Sequence, residues 1–181
     1  MSPKGNQRIM LTKRLVKESL VALLHEKRIH KISIRELCDD AGINRTTFYK
    51  YYSSQYDVLF ELEEELLTHI QDSLTKYPEE THNQLTAICT YLDQNVELIR
   101  LLTDNNVDPD FPSKLFNLPQ LRSMLHEKLD QSFDKQSVDY AFIFISNGGY
   151  HLIREWINRD QRKTPSEIAT LILELTEKVS R

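Results

Sequence analysis

The sequence predicts an all-α fold of about nine helices, and three observations carry that expectation. Apolar residues recur with the helical period along the whole chain, and no run alternates with period 2. Only 4 Gly and 6 Pro occur in 181 residues, too few turn formers for a β-sandwich. Cap signatures stand directly before apolar periodic runs, at Ser33-x-x-Glu36 and at Thr164-Pro165-Ser166-Glu167.

Each element follows from local chemistry. Val16, Leu20, Leu23 and Leu24 define a first helix over about 6–26, with Lys13, Arg14 and Lys17 on its other face. Ser33 caps a second helix whose apolar positions are Ile34, Leu37, Cys38 and Ala41, and Gly42 ends it. Asn44 caps a short third helix, and Ser53 or Ser54 starts a fourth with Leu59, Leu62, Leu66 and Ile70 on one face. Tyr77-Pro78-Glu79-Glu80 breaks the pattern. Leu85, Ile88, Leu92, Val96 and Ile99 then define one fifth helix. A loop over 103–112, a short piece at 113–117, and helices over 119–132, 137–158 and 165–180 complete the chain. Neither repeats nor low-complexity tracts occur.

Composition excludes several classes. Hydrophobic residues make up 40% and charged residues 28%, ordinary for a globular protein of one domain or two small ones. Cys38 and Cys89 lie far apart without a Cys/His cluster, which predicts free thiols in a reducing compartment. The N-terminal segment MSPKGNQRIM lacks the apolar core of a signal peptide. The stretch Tyr140–Ile153, without Asp, Glu, Lys or Arg, is shorter than the ~20 residues that span a bilayer. A cytoplasmic protein without membrane partners is therefore expected. The net charge of −4 conceals a split: residues 1–57 carry +5 and residues 58–181 carry −9. A basic head on an acidic body is the electrostatic footprint of a polyanion-binding module.

The segment Ile32–Leu59 carries the most specific pattern. Two helices joined by a tight glycine turn, the second short and polar, form a helix-turn-helix plan. Phe48 and Tyr52, at i and i+4, face the core. Arg45, Thr46, Tyr49 and Lys50 share the opposite face, where they can enter a major groove ~12 Å wide.

Ile34–Tyr52, followed by Ser-Ser-Gln-Tyr-Asp-Val-Leu, resembles the DNA-binding signature of the TetR family of transcriptional regulators. The resemblance rests on Ile34, Leu37, Ala41-Gly42-Ile43, Thr46-Thr47-Phe48-Tyr49 and Tyr52. The stretch from Phe144 to Ile157, followed by Thr164-Pro165, is similar to the C-terminal domain of many members from Firmicutes. The resemblance implies a DNA-binding domain over 1–57, a connecting fourth helix over 54–76, and an effector-binding and dimerisation domain over 79–181. It implies that Arg45, Thr46 and Lys50, on the helix that includes Thr47, read bases or adjacent phosphates. It implies that Tyr49 and Tyr51 hold the sugar-phosphate backbone, and that Ser33 and Arg35 contact phosphate. Gln55 stands where the family usually has lysine, so one phosphate-seeking charge is lost and backbone N–H groups at that helix start remain the donors. The implied protein is a ligand-responsive repressor that binds a pseudo-palindromic DNA operator as a homodimer, paired through helices 137–158 and 165–180. The alternative is an activator or coactivator acting mainly through protein partners.

Tyr91, Asn95, Phe116, Phe142, Ser146 and Tyr150 are the candidates for contact with a small-molecule effector of unspecified identity. Phe133, Tyr140 and Trp156 are further aromatic candidates, with core or interface roles expected for most. Gly148-Gly149 within a helix costs ~1 kcal/mol per residue relative to Ala, which predicts a close backbone approach there, at a dimer crossing first and at a kink beside a pocket as the alternative. Catalysis, cofactors and metals are not expected. His25 and His30 are at i, i+5, too far round a helix to share one metal, and Glu61, Glu63, Glu64 and Glu65 read as a solvated face.

Overall fold

The computed structural model describes residues 3–76, 80–104 and 107–179. Regular structure among them is helical: α1 (Pro3–Glu26), a 3-10 turn (Ile29–Lys31), α2 (Ile34–Asp40), α3 (Arg45–Phe48) and α4 (Gln55–Lys76). Then come α5 (Thr81–Gln94), α6 (Val96–Leu102), α7 (Phe111–Phe116), α8 (Pro119–Leu129), α9 (Val138–Asn158) and α10 (Pro165–Val179). The interruption expected at 77–79, part of the 103–112 loop and the last residue of the expected final helix lie outside the described residues. The chain divides into two compact units, Met1–Glu65 and Leu66–Arg181, with the division inside α4.

In the first unit, α2 packs against both α1 and α3. Val16, Leu20, Leu37, Phe48 and Val58 are fully buried at the centre. Each such side chain contributes roughly 1.5–3 kcal/mol of burial, so this small core holds a four-residue helix that has no intrinsic stability. A set of ion pairs fastens α1 to α4. Lys13 Nζ lies 2.8 Å from Glu61 Oε2, and Lys17 pairs with both Glu61 and Glu65. Burial pushes the Glu61 carboxyl up, but Lys13, Tyr52 and Lys17 outweigh it and hold the group below its ordinary value. Glu63 is buried as well. The glutamate run is therefore a structural seam on at least two of its positions, and not the solvated face expected from its spacing.

The second unit places α5 against α10 and packs α9 against α6, α7, α8 and α10. Leu129, Val138 and Ala141 form a small core at the α8–α9 junction, with Phe133, Phe142 and Ile145 packed on it. Arg100 donates from Nε and Nη2 to the Ile157 carbonyl at 3.2 and 3.1 Å, and Arg162 Nη1 donates to the same oxygen at 3.3 Å. Two cations thus meet the negative end of α9, where the helix dipole favours them.

The expected fifth helix is two helices. Asn95, at φ −119° and ψ 32°, separates α5 from α6, so ten α-helices stand among the described residues where about nine were expected. Its side-chain amide donates to the Tyr91 carbonyl at 2.9 Å, sharing that acceptor with its own backbone N–H at 3.1 Å. Asparagine competes with the backbone in this way, and the apolar period continues across the break because both pieces bury the same side.

The two cap signatures also differ in form. Thr164 and Glu167 exchange both bonds of the capping box: Thr164 N–H donates to Glu167 Oε2 at 2.8 Å, and Glu167 N–H donates to Thr164 Oγ1 at 3.3 Å. Ser33 Oγ accepts from Glu36 N–H at 3.2 Å, but the Glu36 carboxylate turns to Lys27 instead of reaching back.

Candidate nucleic-acid interface and ligand cavity

The turn between α2 and α3 is built by three consecutive residues. Gly42 takes φ +64°, the left-handed conformation that glycine adopts without a Cβ penalty. Its N–H donates to Asp39 O at 3.4 Å, and the next N–H, of Ile43, donates to Cys38 O at 3.0 Å. These two bonds form a Schellman motif, which closes α2 and redirects the chain. Asn44 Oδ1 then accepts from Thr47 N–H at 2.7 Å and starts α3.

That start orients the short helix. Phe48 and Tyr52 are buried with ring centroids 5.5 Å apart, and this contact keeps the other side of α3 outward. Arg45, Thr46, Tyr49 and Lys50 are all exposed, while Thr47 and Tyr51 are half-buried. Ser33 and Arg35 are exposed at the start of α2, where Arg35 Nε lies 3.6 Å from Asp39 in an exposed pair. Ser33 Oγ keeps its proton to donate, because the capping bond uses it as acceptor. Six of the nine candidate DNA contacts, Ser33, Arg35, Arg45, Thr46, Tyr49 and Lys50, are therefore exposed on the helix-turn-helix.

Gln55 is engaged differently. Its side-chain amide donates to the Ile29 carbonyl at 3.5 Å, tying the start of α4 to the 3-10 turn. The neighbouring amides of Ser53 and Ser54 donate to Asp57 Oδ2 at 2.6 and 3.2 Å. The backbone donors expected to compensate for the missing lysine are thus partly taken, and by a carboxylate. Sequence spacing does not show this, because Asp57 lies one turn into the helix and folds back as its cap.

The second unit contains a half-open cavity of about 700 Å³, a size suited to a small molecule. Its walls come from α4 to α10 and are mainly aliphatic and aromatic, among them Ile70, Leu92, Phe111 and Met124. Three of the six effector candidates, Phe116, Ser146 and Tyr150, line it, and Gly148 and Gly149 form part of the α9 wall. A Cβ on either glycine would meet nothing within 4 Å, so the close backbone approach expected at these residues does not occur within the chain.

Tyr91, Asn95 and Phe142 lie outside this cavity. Tyr91 stacks on His69, with ring centroids 3.6 Å apart, beside a separate polar hollow. Asn95 is consumed by the α5–α6 break. Phe142 packs into the α8–α9 core between His126 at 4.9 Å and Arg122 at 5.5 Å. Of the further aromatics, Phe133 is in that same core, Tyr140 is exposed, and Trp156 is buried with Nε1 donating to Lys163 O at 2.8 Å.

A family profile described as the transcriptional regulator C-terminal region of TetR type matches residues 79–178, more than half of the chain. The chain belongs to the TetR family of transcriptional regulators. A structure of a TetR transcriptional regulator from Streptococcus agalactiae shares its fold, with TM-score 0.68 and 24% identity, covering 95% of this chain and 97% of that one. The dihydroxyacetone kinase operon activator DhaS shares the fold at TM-score 0.60 and 19% identity, covering 93% of this chain and 96% of that one. By sequence, the HTH-type regulator YxbF of Bacillus subtilis is 20% identical over 88% of this chain and 43% of its own length. The HTH-type dhaKLM operon transcriptional activator DhaS of Lactococcus lactis is 28% identical over 48% of this chain and 46% of its own. The matched segments thus span less than half the length of these curated relatives.

In this TetR-family protein, two functional sets escaped sequence reasoning. The Lys13/Lys17 to Glu61/Glu65 clamp was signalled by i, i+4 spacing on both partners, but their pairing requires knowing that α1 and α4 are neighbours. Thr103 and Cys89 line the cavity from helices whose apolar stripe reads as ordinary core. Among the described residues, no helix is long and apolar enough to cross a membrane, and no three His, Cys, Asp or Glu side chains gather as a metal site.

Proposed function

We propose that this protein is a ligand-responsive transcriptional regulator, cytoplasmic and homodimeric, that reads a pseudo-palindromic DNA operator. Residues 1–57 serve as the DNA-binding domain, with residues 54–76 as connector and 79–181 as the effector and dimerisation domain. The observation that carries this reading is the outward face of α3, where Arg45, Thr46, Tyr49 and Lys50 stand exposed over a buried Phe48. Arg45 can bond guanine bidentately, and Lys50 and the tyrosines reach phosphates that carry no base information. Two such heads enter successive major grooves about 34–36 Å apart.

The homodimer is supported by an exposed apolar strip. Tyr140, Ile143 and Phe144 on α9, with Leu175 and Val179 on α10, remain exposed although each is large and apolar. A second copy of the chain covers such a strip through a self-complementary interface. Phe144, Leu175 and Val179 also line the cavity, so a ligand there has direct access to the residues that set the pairing. Ligand control follows if the ligand binds one pairing geometry more tightly than the other.

Repression is the default sign of regulation. Activation with a protein partner is favoured by two observations: DhaS is named an activator, and Gln55 and Asp57 replace phosphate donors with internal contacts. Selection of genomic fragments by the purified protein at two salt concentrations tests the reading. One enriched inverted repeat, with affinity falling steeply in salt, is expected. Enrichment of nothing at low salt overturns unaided DNA reading and selects the partner-dependent form.

A further inference from the structure

Three buried hydroxyls that line the cavity, on Thr103, Ser146 and Tyr150, have their protons committed elsewhere. Thr103 Oγ1 donates to the Ile99 carbonyl at 2.7 Å, and Ser146 Oγ donates to the Phe142 carbonyl at 2.7 Å. Tyr150 Oη donates to the Thr103 carbonyl at 3.2 Å. All three residues are more than nine-tenths buried. A carbonyl only accepts, so the direction of each bond is settled by chemistry. A hydroxyl has one proton and two lone pairs, and these oxygens therefore offer a ligand acceptor capacity alone.

The other neutral polar side chains of the lining are less buried: Thr81 and Thr176 are half-buried and Gln131 is exposed. Burial pushes the Cys89 thiol up to about 12, so the sulfur stays protonated and behaves as a small apolar group. Among the described residues, the charged side chains of the lining are Glu127 and Glu177, both exposed. An anion entering beside Thr103, Ser146 and Tyr150 sheds its hydration and meets lone pairs. A neutral or cationic donor meets partners already aimed by the helix ladder.

We propose that the buried wall formed by Thr103, Ser146 and Tyr150 selects a largely apolar molecule whose polar end donates hydrogen bonds and carries no negative charge, such as an alcohol, amine or amide. Carboxylates, phosphates and sulfates are rejected. This selectivity rests on the reading of the cavity as the effector site.

The test is displacement of the neutral fluorophore N-phenyl-1-naphthylamine from the full-length protein at pH 8, by four competitors of matched chain length. Decanol and decylamine are expected to displace it. Decanoate is expected to be at least tenfold weaker than decanol, and decyl methyl ether, which cannot donate, several-fold weaker. In Ser146→Ala, which removes one acceptor from an unbroken helix, the gap between decanol and the ether should shrink. Gly149→Leu projects a side chain into the cavity and should abolish fluorophore binding. If it does, and decanoate competes as well as decanol, the selectivity is overturned while the effector site stands. If no probe binds, or if Gly149→Leu leaves fluorophore binding unchanged, the effector-site reading falls and the selectivity with it.

Discussion

Arg45 and Phe48 are three residues apart on the same short helix, yet their energies belong to different ledgers. Phe48 is fully buried and in ring contact with both Tyr49 and Tyr52. Phe48→Ala should lower unfolding stability by about 3–5 kcal/mol, read as a large shift in a denaturant midpoint. Arg45 is exposed, so Arg45→Ala should leave that midpoint nearly unchanged. On operator DNA, Arg45→Ala should cost about 1–3 kcal/mol and relax preference at one base position. A uniform loss on every sequence would place Arg45 on phosphate. The same residue scale explains why only part of the predicted effector set lines the cavity. Tyr91, Phe142 and Tyr150 are chemically similar aromatics on helices, and which side of a helix meets a void depends on neighbours far away in sequence.

At the scale of elements, two glycines invite the same substitution with opposite outcomes. Gly42 sits at φ +64° between α2 and α3, and Gly42→Ala should destabilise by about 1–2 kcal/mol through left-handed strain. Gly149 is interior to α9 with open space where a Cβ would stand, so Gly149→Ala should stabilise by up to about 1 kcal/mol. Thermal melts of the two variants, shifted down and up respectively, check the pair. The clamp between α1 and α4 adds a pH dependence. Glu61 is held below its ordinary value in the folded chain, so between the two values the unfolded chain binds more protons. Its contribution is complete above the ordinary carboxylate range and is lost as pH falls through and below about 4. Glu61→Gln should therefore flatten the acid limb of a stability-against-pH curve. An unchanged limb would assign acid sensitivity to other carboxylates.

For the whole molecule, the decisive surface is the exposed apolar strip on α9 and α10. Ile143 is exposed and does not line the cavity, so Ile143→Asp should leave the fold of the single chain intact. It should convert the particle to a monomer in sedimentation, and operator affinity should fall steeply because two heads no longer bind together. A dimer that survives this substitution would place the interface elsewhere.

The sequence by itself determined the all-α class, most helix starts and stops, the Gly42 turn and the exposed face of α3. Those features are local: caps, turn residues and a period of 3.6 act over a few neighbouring residues, and Ser33, Asn44 and Thr164 cap as their spacing requires. Tertiary structure alone decided that Glu63 is buried, that Gln55 is tied to Ile29, and that Lys13 and Lys17 meet Glu61. It also decided which apolar side chains of α4 to α10 fill the core and which surround a void. Periodicity marks the face of a helix that avoids water, but packing against distant segments determines whether that face meets another side chain or an empty space.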